Sequence, residues 1–534
     1  MEMMENSAVG GLLLRLWYVL YGWYEESGLA RFLRGVSRVW TRWFHASAVM
    51  SLLVREGVLP RAWRDSLICR AMETLLNLPA ALLHWIYRKF RPVFDNSVCA
   101  LLAFGAGEQT PAAIGWLMLA VMVVPYDNWD NRYSLMGFVL MALLFLAGGM
   151  RSRALRLDLK SIGPYAVIFA GAVCLAWPVS YSSALSLRFL FFHLTGMLCV
   201  AVTVSSVERP GQLKRLAGFA SLAMFCTGAY GIVQRIQGVE VNYSYVDPLL
   251  NEGMPGRVFS VFENPNAFAE VLVMLIPLAA ALVLCSKSVW GRLGALCAAG
   301  VGIMALGMTY SRASWIGAVV SAAVFVFLWN RKLIPGLILL GLLALPMLPD
   351  TIFNRILTIF NLKDSSTSSR FPLYQAALEM IRERPVRGAG LGTDAVRLAI
   401  KDLNLYHGTA PFVHAHNLYL QIWLETGLIG IVSYLATMIS GVKAASKAAR
   451  LHCPHEVRLI TIGAAAAVAG ILVDCLADYL WNYPRVMVIF WFVFSVMLSG
   501  VKLARRAVAQ KGEPGGRACE KAPSGLRYGP YPPQ

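Results

Sequence analysis

Residues 485–503 read RVMVIFWFVFSVMLSGVKL, with charge only at Arg485 and Lys502. About 20 apolar residues are needed to cross a hydrocarbon core of ~30 Å. Lipid offers no partner to backbone N–H and C=O groups, so such a run must be helical. Comparable runs recur upstream. Twelve are expected in all, near residues 108–125, 134–149, 163–179, 188–206, 214–232, 266–285, 292–309, 313–329, 333–349, 418–440, 458–478 and 485–503. The chain therefore reads as an all-α integral membrane protein with about 12 transmembrane helices. Composition agrees: 57% of the 534 residues are hydrophobic, 15% are charged, and the mean hydropathy is +0.57. A soluble domain carries about 25% charged residues.

The formal charge of +18 does not point to nucleic acid, because the basic residues sit mostly between apolar runs and read as topology signals. Alternate connections hold Arg151, Arg153, Arg156 and Lys160, then Arg209, Lys214 and Arg215, then Arg331 and Lys332, then Lys443, Lys447 and Arg450. The intervening ones, such as 126–134 and 180–186, are poor in Lys and Arg. Both termini are then expected in the cytoplasm of a plasma (inner) membrane protein. Glu2 and Glu5, with no A-x-A site following, make a cleaved signal peptide unexpected. The ten cysteines show no metal or disulfide spacing.

Three regions follow. Residues 1–97 combine short apolar segments with Arg and Trp and read as an interfacial, amphipathic region. Residues 98–505 form the polytopic membrane domain, with external loops at 233–265 and 350–417. Residues 506–534, rich in Gly, Pro and charge, read as a disordered cytoplasmic tail. Within the long loop, Leu373, Ala376, Ala377 and Met380 fall at helical spacing, so a short amphipathic helix is expected over 372–382. The Gly-rich stretch 387–392 ends it.

On this topology Arg257, Arg312, Arg370, His414 and His416 all fall at or near the outer surface. Arginine matches phosphate oxygens with a planar set of donors and stays charged at any physiological pH. Histidine titrates near neutrality and can take a proton from an attacking hydroxyl. The set suits a lipid-linked phosphate donor, although snorkelling or pairing explains any one arginine as well. Asp474 lies deep in a span, where a charge is costly. Asp478, Trp481 and Tyr483 sit at the next outer edge, where an aromatic belt is expected. Asp364 and Asp394 are scattered and read as solvated, so no metal site is expected.

The most informative string is VHAHNLYLQIWLETGLIG, Val413–Gly430. It resembles the histidine motif of the O-antigen ligase and O-antigen polymerase superfamily of bacterial envelope glycosyltransferases. Three further stretches are similar to that family's pattern: RVFSVFENPNA from Arg257, TYSRASW from Thr309, and Arg370 followed by its helix, Arg384-Pro385 and GAGLG at 388–392. The resemblance covers roughly residues 210–440. Residues 1–97 have no counterpart in it.

The resemblance implies a polyprenol-dependent glycosyltransferase (GT-C-like) fold and a donor glycan on undecaprenyl diphosphate. The acceptor would be a glycan, a lipid or a wall polymer, in contact with membrane lipids. By the same resemblance His416 is the general base, while Arg312 and Arg370, with Arg257 third, bind the diphosphate. His414, Asn417, Glu425, Asn264 and Asn266 are supporting candidates. No cofactor is implied, and the transfer is expected to be metal-independent and inverting. The histidine motif favours a ligase over a polymerase of repeat units. A flippase or small-solute transporter is the rival class, but carriers usually bind at the midplane between repeated halves, and no such repeat is visible.

Overall fold

The computed structural model describes residues 57–152, 156–241, 255–357, 370–408 and 411–510 continuously, with scattered positions between 15 and 42. It divides into two compact units, Met1–Arg61 and Ala62–Gln534. In the first, Ser27 Oγ accepts the Ala30 N–H and Arg34 donates to Glu25 O. Much of the amphipathic region expected over 1–97, and nearly all of the expected tail, lie outside the described residues.

The second unit is all-helical among its described residues. Its principal helices begin with α1 (Leu67–Leu76), α2 (Leu78–Lys89), α3 (Val98–Glu108), α4 (Thr110–Val123), α5 (Asn131–Arg151) and α6 (Pro164–Ala176). They continue with α7 (Ser183–Ser206), α8 (Pro210–Gln237), α9 (Pro265–Cys285), α10 (Val289–Met308), α11 (Arg312–Asn330) and α12 (Ile334–Ala344). After these come α13 (Arg370–Glu383), α14 (Thr393–Asp402), α15 (Leu418–Ala448), α16 (His455–Asp474) and α17 (Pro484–Gln510).

Nine helices among the described residues are long and apolar enough to cross a membrane, and α3, α4 and α6 are apolar but shorter. The expected spans near 108–125 and 163–179 correspond to α4 and α6, of 14 and 13 residues. Each begins with a proline in its first turn, Pro111 and Pro164, a favoured helix start. The expected spans at 313–329 and 333–349 correspond to α11 and α12, separated at Asn330, whose backbone is extended (φ −156°, ψ 96°), and by the 3-10 turn Arg331–Leu333.

The centre of the bundle is α17, whose apolar stretch is wholly buried and which packs mainly against α7 and α16. Cations fasten both ends of α17. Near its start Arg485 donates to Val121 O, to Val124 O at 2.6 Å and to Val261 O at 3.2 Å. Val121 and Val124 lie at the end of α4, where the last carbonyls have no partner within the helix. Near the far end Lys502 Nζ donates to Val204 O at 2.5 Å and to Glu208 Oε1 at 3.1 Å.

The sequence of α16 carries GAAAAVAG at 463–470, and small residues let helix backbones approach closely. A Cβ on Gly470 would lie 2.5 Å from Gly317 O of α11, and one on Gly317 would lie 2.8 Å from Gly470 O. The helix α12, by contrast, buries no residue and presents Leu339, Leu340, Leu342 and Leu343 outward. α1 and α2 dock on residues 157–160: Leu157 N–H donates to Asn77 Oδ1 at 2.8 Å, and Lys160 N–H donates to Glu73 Oε1 at 3.2 Å.

The expected loop helix is present as α13, with Leu373, Ala376, Ala377, Met380 and Ile381 buried. They share a small core with Val396, Ala399 and Ile400 of α14, and with Phe412 and Ala415. Gly470→Leu is expected to force α11 and α16 apart and to cost about 1–3 kcal/mol. Thermal unfolding of the detergent-solubilised protein measures it, with Gly300→Leu, where nothing lies within 4 Å of a Cβ, as the unaffected control.

Candidate functional site

The helix α15 is broken at Gly427, where φ is +67°, and the break decides where the loop residues go. It leaves Leu424 O and Leu428 N without helical partners. The segment after α13 supplies both, since Ala389 N–H donates to Leu424 O at 2.5 Å and Leu428 N–H to Pro385 O at 3.0 Å. Trp423 Nε1 also donates to Pro385 O, at 2.9 Å. A Cβ on Gly427 would fall 1.9 Å from Val386 O, so this contact needs glycine for space as well as for its φ. The motif glycines at 388 and 427 thus join the long loop to α15, and bring Arg370 near His416.

Asn417 caps α15, accepting Leu420 N–H at 3.0 Å and donating to Leu476 O at 2.9 Å, and Leu418 N–H donates to Cys475 O. The head of α15 is thereby bound to the connection between α16 and α17. That connection carries Asp478. His416 Nδ1 lies 3.4 Å from Asp478 Oδ1, at ion-pair distance without the alignment of a hydrogen bond. His416 has φ +44°, a strained value for a residue with a side chain. Its side chain is 36% exposed against 14% for Asp478, so the ring is the accessible member of the pair.

His414 is the buried neighbour, with its ring centroid 4.1 Å from that of His416. Burial, then the charge of His416, push its pKa down to about 3. It is neutral at physiological pH, and its Nδ1 accepts the His416 N–H at 3.1 Å. Burial alone would raise Asp478, but its contact with His416, and then the charge of Arg370, hold it below the ordinary carboxylate range.

Asn266 Nδ2 donates to Asp478 Oδ2 at 3.0 Å, while Asn266 Oδ1 accepts from Arg257. Arg257 is buried, and its Nε donates to Thr309 O at 2.7 Å. Arg312 opens α11 three residues further on, beside Ser314, whose hydroxyl donates to Asp474 at 2.7 Å. Arg370 opens α13 and acts on Asp478 and His414 through its charge. Tyr374, one turn along, donates to His416 O at 3.4 Å.

Asn264 is the N-cap of α9, accepting Asn266 N–H at 2.7 Å. Glu425 does not touch His416. It accepts from Gln421 at 2.9 Å and Tyr479 at 2.7 Å, and Gln421 Oε1 accepts Ala415 N–H at 3.0 Å. Glu425 therefore bears on the histidine loop through Gln421.

Asp478, read from sequence as part of an aromatic edge, is the acidic partner of the histidine. Nothing local in the sequence marks it, since the pairing depends on the fold of α16 against α15. Asp394, read as solvated, pairs with Arg188 and Arg397 at 3.1 Å each, and Asp364 lies outside the described residues. Among the described residues, His414, His416 and Asp478 form a group whose ligand atoms lie within 4.8 Å of one another and could hold a metal ion.

Residues 295–435 match the family model described as O-antigen ligase. The matched segment contains Arg312, Arg370, His414, His416 and the Gly427 break, and the resemblance seen in the motifs is borne out there. Asn266, Arg257 and Asp478 lie outside it. The chain is also similar to the exopolysaccharide production protein ExoQ of Rhizobium meliloti, 24% identical over 350 residues, 60% of this chain and 75% of that protein. An uncharacterized protein of Haemophilus influenzae is 29% identical over 157 residues. That match spans 26% of this chain and 39% of the relative.

His414 also yields a pH prediction. Its folded pKa of about 3 lies below the ordinary 6.5, so the unfolded chain binds this proton first. The contribution to stability is complete above the unfolded value and is lost as pH falls from about 6.5 towards about 3. His414→Gln should therefore show a smaller drop in thermal midpoint between pH 7 and pH 4.5 than the wild type.

Proposed function

We propose that the chain is a membrane glycosyltransferase that moves a glycan from an undecaprenyl-diphosphate carrier to an acceptor hydroxyl at the external face of the plasma membrane. The observation that carries this reading is the accessible His416 ring paired with half-buried Asp478, in a network that reaches Arg257 and Arg370. The O-antigen ligase match over the histidine motif supports the same reaction class.

In this reading Asp478 faces Nδ1 of His416 and keeps the proton there, so that Nε2 takes the proton of the acceptor hydroxyl. The oxygen then attacks the anomeric carbon as the bond to the diphosphate breaks, with inversion. Asp478 stabilises the imidazolium that forms, as a carboxylate beside a catalytic histidine does. Arg370 and Arg312 stabilise the charge on the departing undecaprenyl diphosphate in a water-poor site, at on the order of 3 kcal/mol per well-placed donor. Arg257, engaged with Thr309 and Asn266, orients Asn266 and through it Asp478, in addition to adding positive charge. The twelve-span GT-C-like plan, the cytoplasmic termini and the placement of α1 and α2 in the headgroup region belong to the same proposal. Exposed Leu67, Ile68, Leu82 and Trp85 on those helices support that last assignment.

The name of the Rhizobium relative refers to exopolysaccharide production, which favours a polymerase of lipid-linked repeat units as the second reading. Deletion distinguishes the two: unligated long chains accumulate if a ligase is lost, single repeat units if a polymerase is lost.

His416→Ala and Asp478→Asn should each lower glycan transfer roughly 100-fold or more, the usual worth of a positioned general base. Arg370→Ala should do the same, at about 3 kcal/mol. Transfer from purified lipid-linked donor, with membrane insertion checked, measures all three. Wild-type rates for His416→Ala would overturn the enzyme reading. Turnover is expected to continue undiminished in EDTA. Its loss, and recovery with one divalent ion, would instead assign His414, His416 and Asp478 to a metal.

A further inference from the structure

The turn between α4 and α5 reads Pro125-Tyr-Asp-Asn-Trp-Asp-Asn-Arg-Tyr133. It is fastened to the segment leading into α9 by Tyr126 N–H, which donates to Val261 O at 3.0 Å. Asp130 caps α5 and is held by Arg132. Trp129 packs edge-on to Tyr133 at 5.7 Å between centroids, with the Arg485 guanidinium 5.9 Å from its ring. An open cavity of about 620 Å³ lies here, lined by Asp127, Asn128, Trp129, Asp130, Asn131 and Tyr133. A second cavity shares Trp129 and Asn131 with it and continues to Glu263, Ala267 and Tyr483. Glu263 and Ala267 lie in the segment that opens α9, which also carries Asn266, whose amide holds Asp478 beside His416. The two cavities thus run from the turn to the segment that opens α9.

Carboxylate and amide side chains can each take two neighbouring hydroxyls, and aromatic rings cover apolar C–H faces. Sugar rings present both surfaces. An aromatic belt at a membrane edge accounts for Trp129 and Tyr133, but not for acids and amides alternating with them around a cavity. The indole Nε1 of Trp129 is also buried without a hydrogen-bond partner among the described residues. We propose that this turn, with Glu263, is a sugar-binding subsite that holds units of a glycan chain whose reacting end lies at His416. The proposal rests on the glycosyltransferase reading for its purpose, and on the cavities for its place.

The test uses the full-length protein in nanodiscs and, as probe, a labelled repeat-unit oligosaccharide released by mild acid from the lipid-linked intermediates of the producing cells. Wild type and His416→Ala should bind it equally, while Trp129→Ala and Asp127→Ala should each weaken binding about tenfold or more. In transfer assays, a raised KM for the acceptor glycan alone assigns the subsite to the acceptor chain. A raised KM for the lipid-linked donor alone assigns it to the donor chain. No binding by the wild type overturns the proposal, as does unchanged binding in both turn variants. Weakened binding in Trp129→Ala with a lowered thermal midpoint, beside normal binding in Asp127→Ala, also overturns it in favour of an aromatic belt. Wild-type transfer by His416→Ala would remove the glycosyltransferase reading and leave the binding result to be judged separately.

Discussion

A carbonyl or an N–H left without a partner in a membrane protein cannot turn to water. At Gly427 the helix α15 breaks, and the two backbone groups that the break frees are taken by Pro385 and Ala389. This exchange sets the position of the long loop. It presses the segment after α13 against α15 and packs Ala389 and Leu424 into the loop's own core. It also puts Arg370, at the start of α13, within electrostatic reach of Asp478. A residue with a Cβ at 427 would collide with Val386 O, so the arrangement depends on one glycine.

The same accounting runs through the rest of the bundle. Arg485 closes the open end of α4 and reaches the segment before α9. Asn264 and Asn417 cap the helices that carry the site. Asn266 joins Arg257 to Asp478, and Gln421 joins Glu425 to the histidine loop. Most of the polar residues gathered around His416 therefore have structural partners already. His416 differs, since its ring is partly exposed and its backbone is strained, a combination that tends to collect at functional sites.

Such a network suits the proposed chemistry because little in it must move. Donors already oriented in a site poor in water stabilise developing charge without reorganising. The buried neutral His414 adds no positive charge beside His416 that would oppose its uptake of a proton.

The amino-acid sequence by itself determined the membrane class, most helix positions, the loop helix α13 and the motif residues, because hydropathy, period and caps are properties of short stretches. The helices at two of its expected spans, α4 and α6, are only 14 and 13 residues long. Only the tertiary structure decided which polar groups meet. Asp478 pairs with His416 because α15 and α16 dock head to tail, and buried Glu425 turns to Tyr479 and Gln421 instead of His416. Contacts between residues far apart in the chain depend on how helices pack, and packing in a bilayer follows from shape and internal hydrogen bonding along the whole bundle. No single stretch of sequence carries that information.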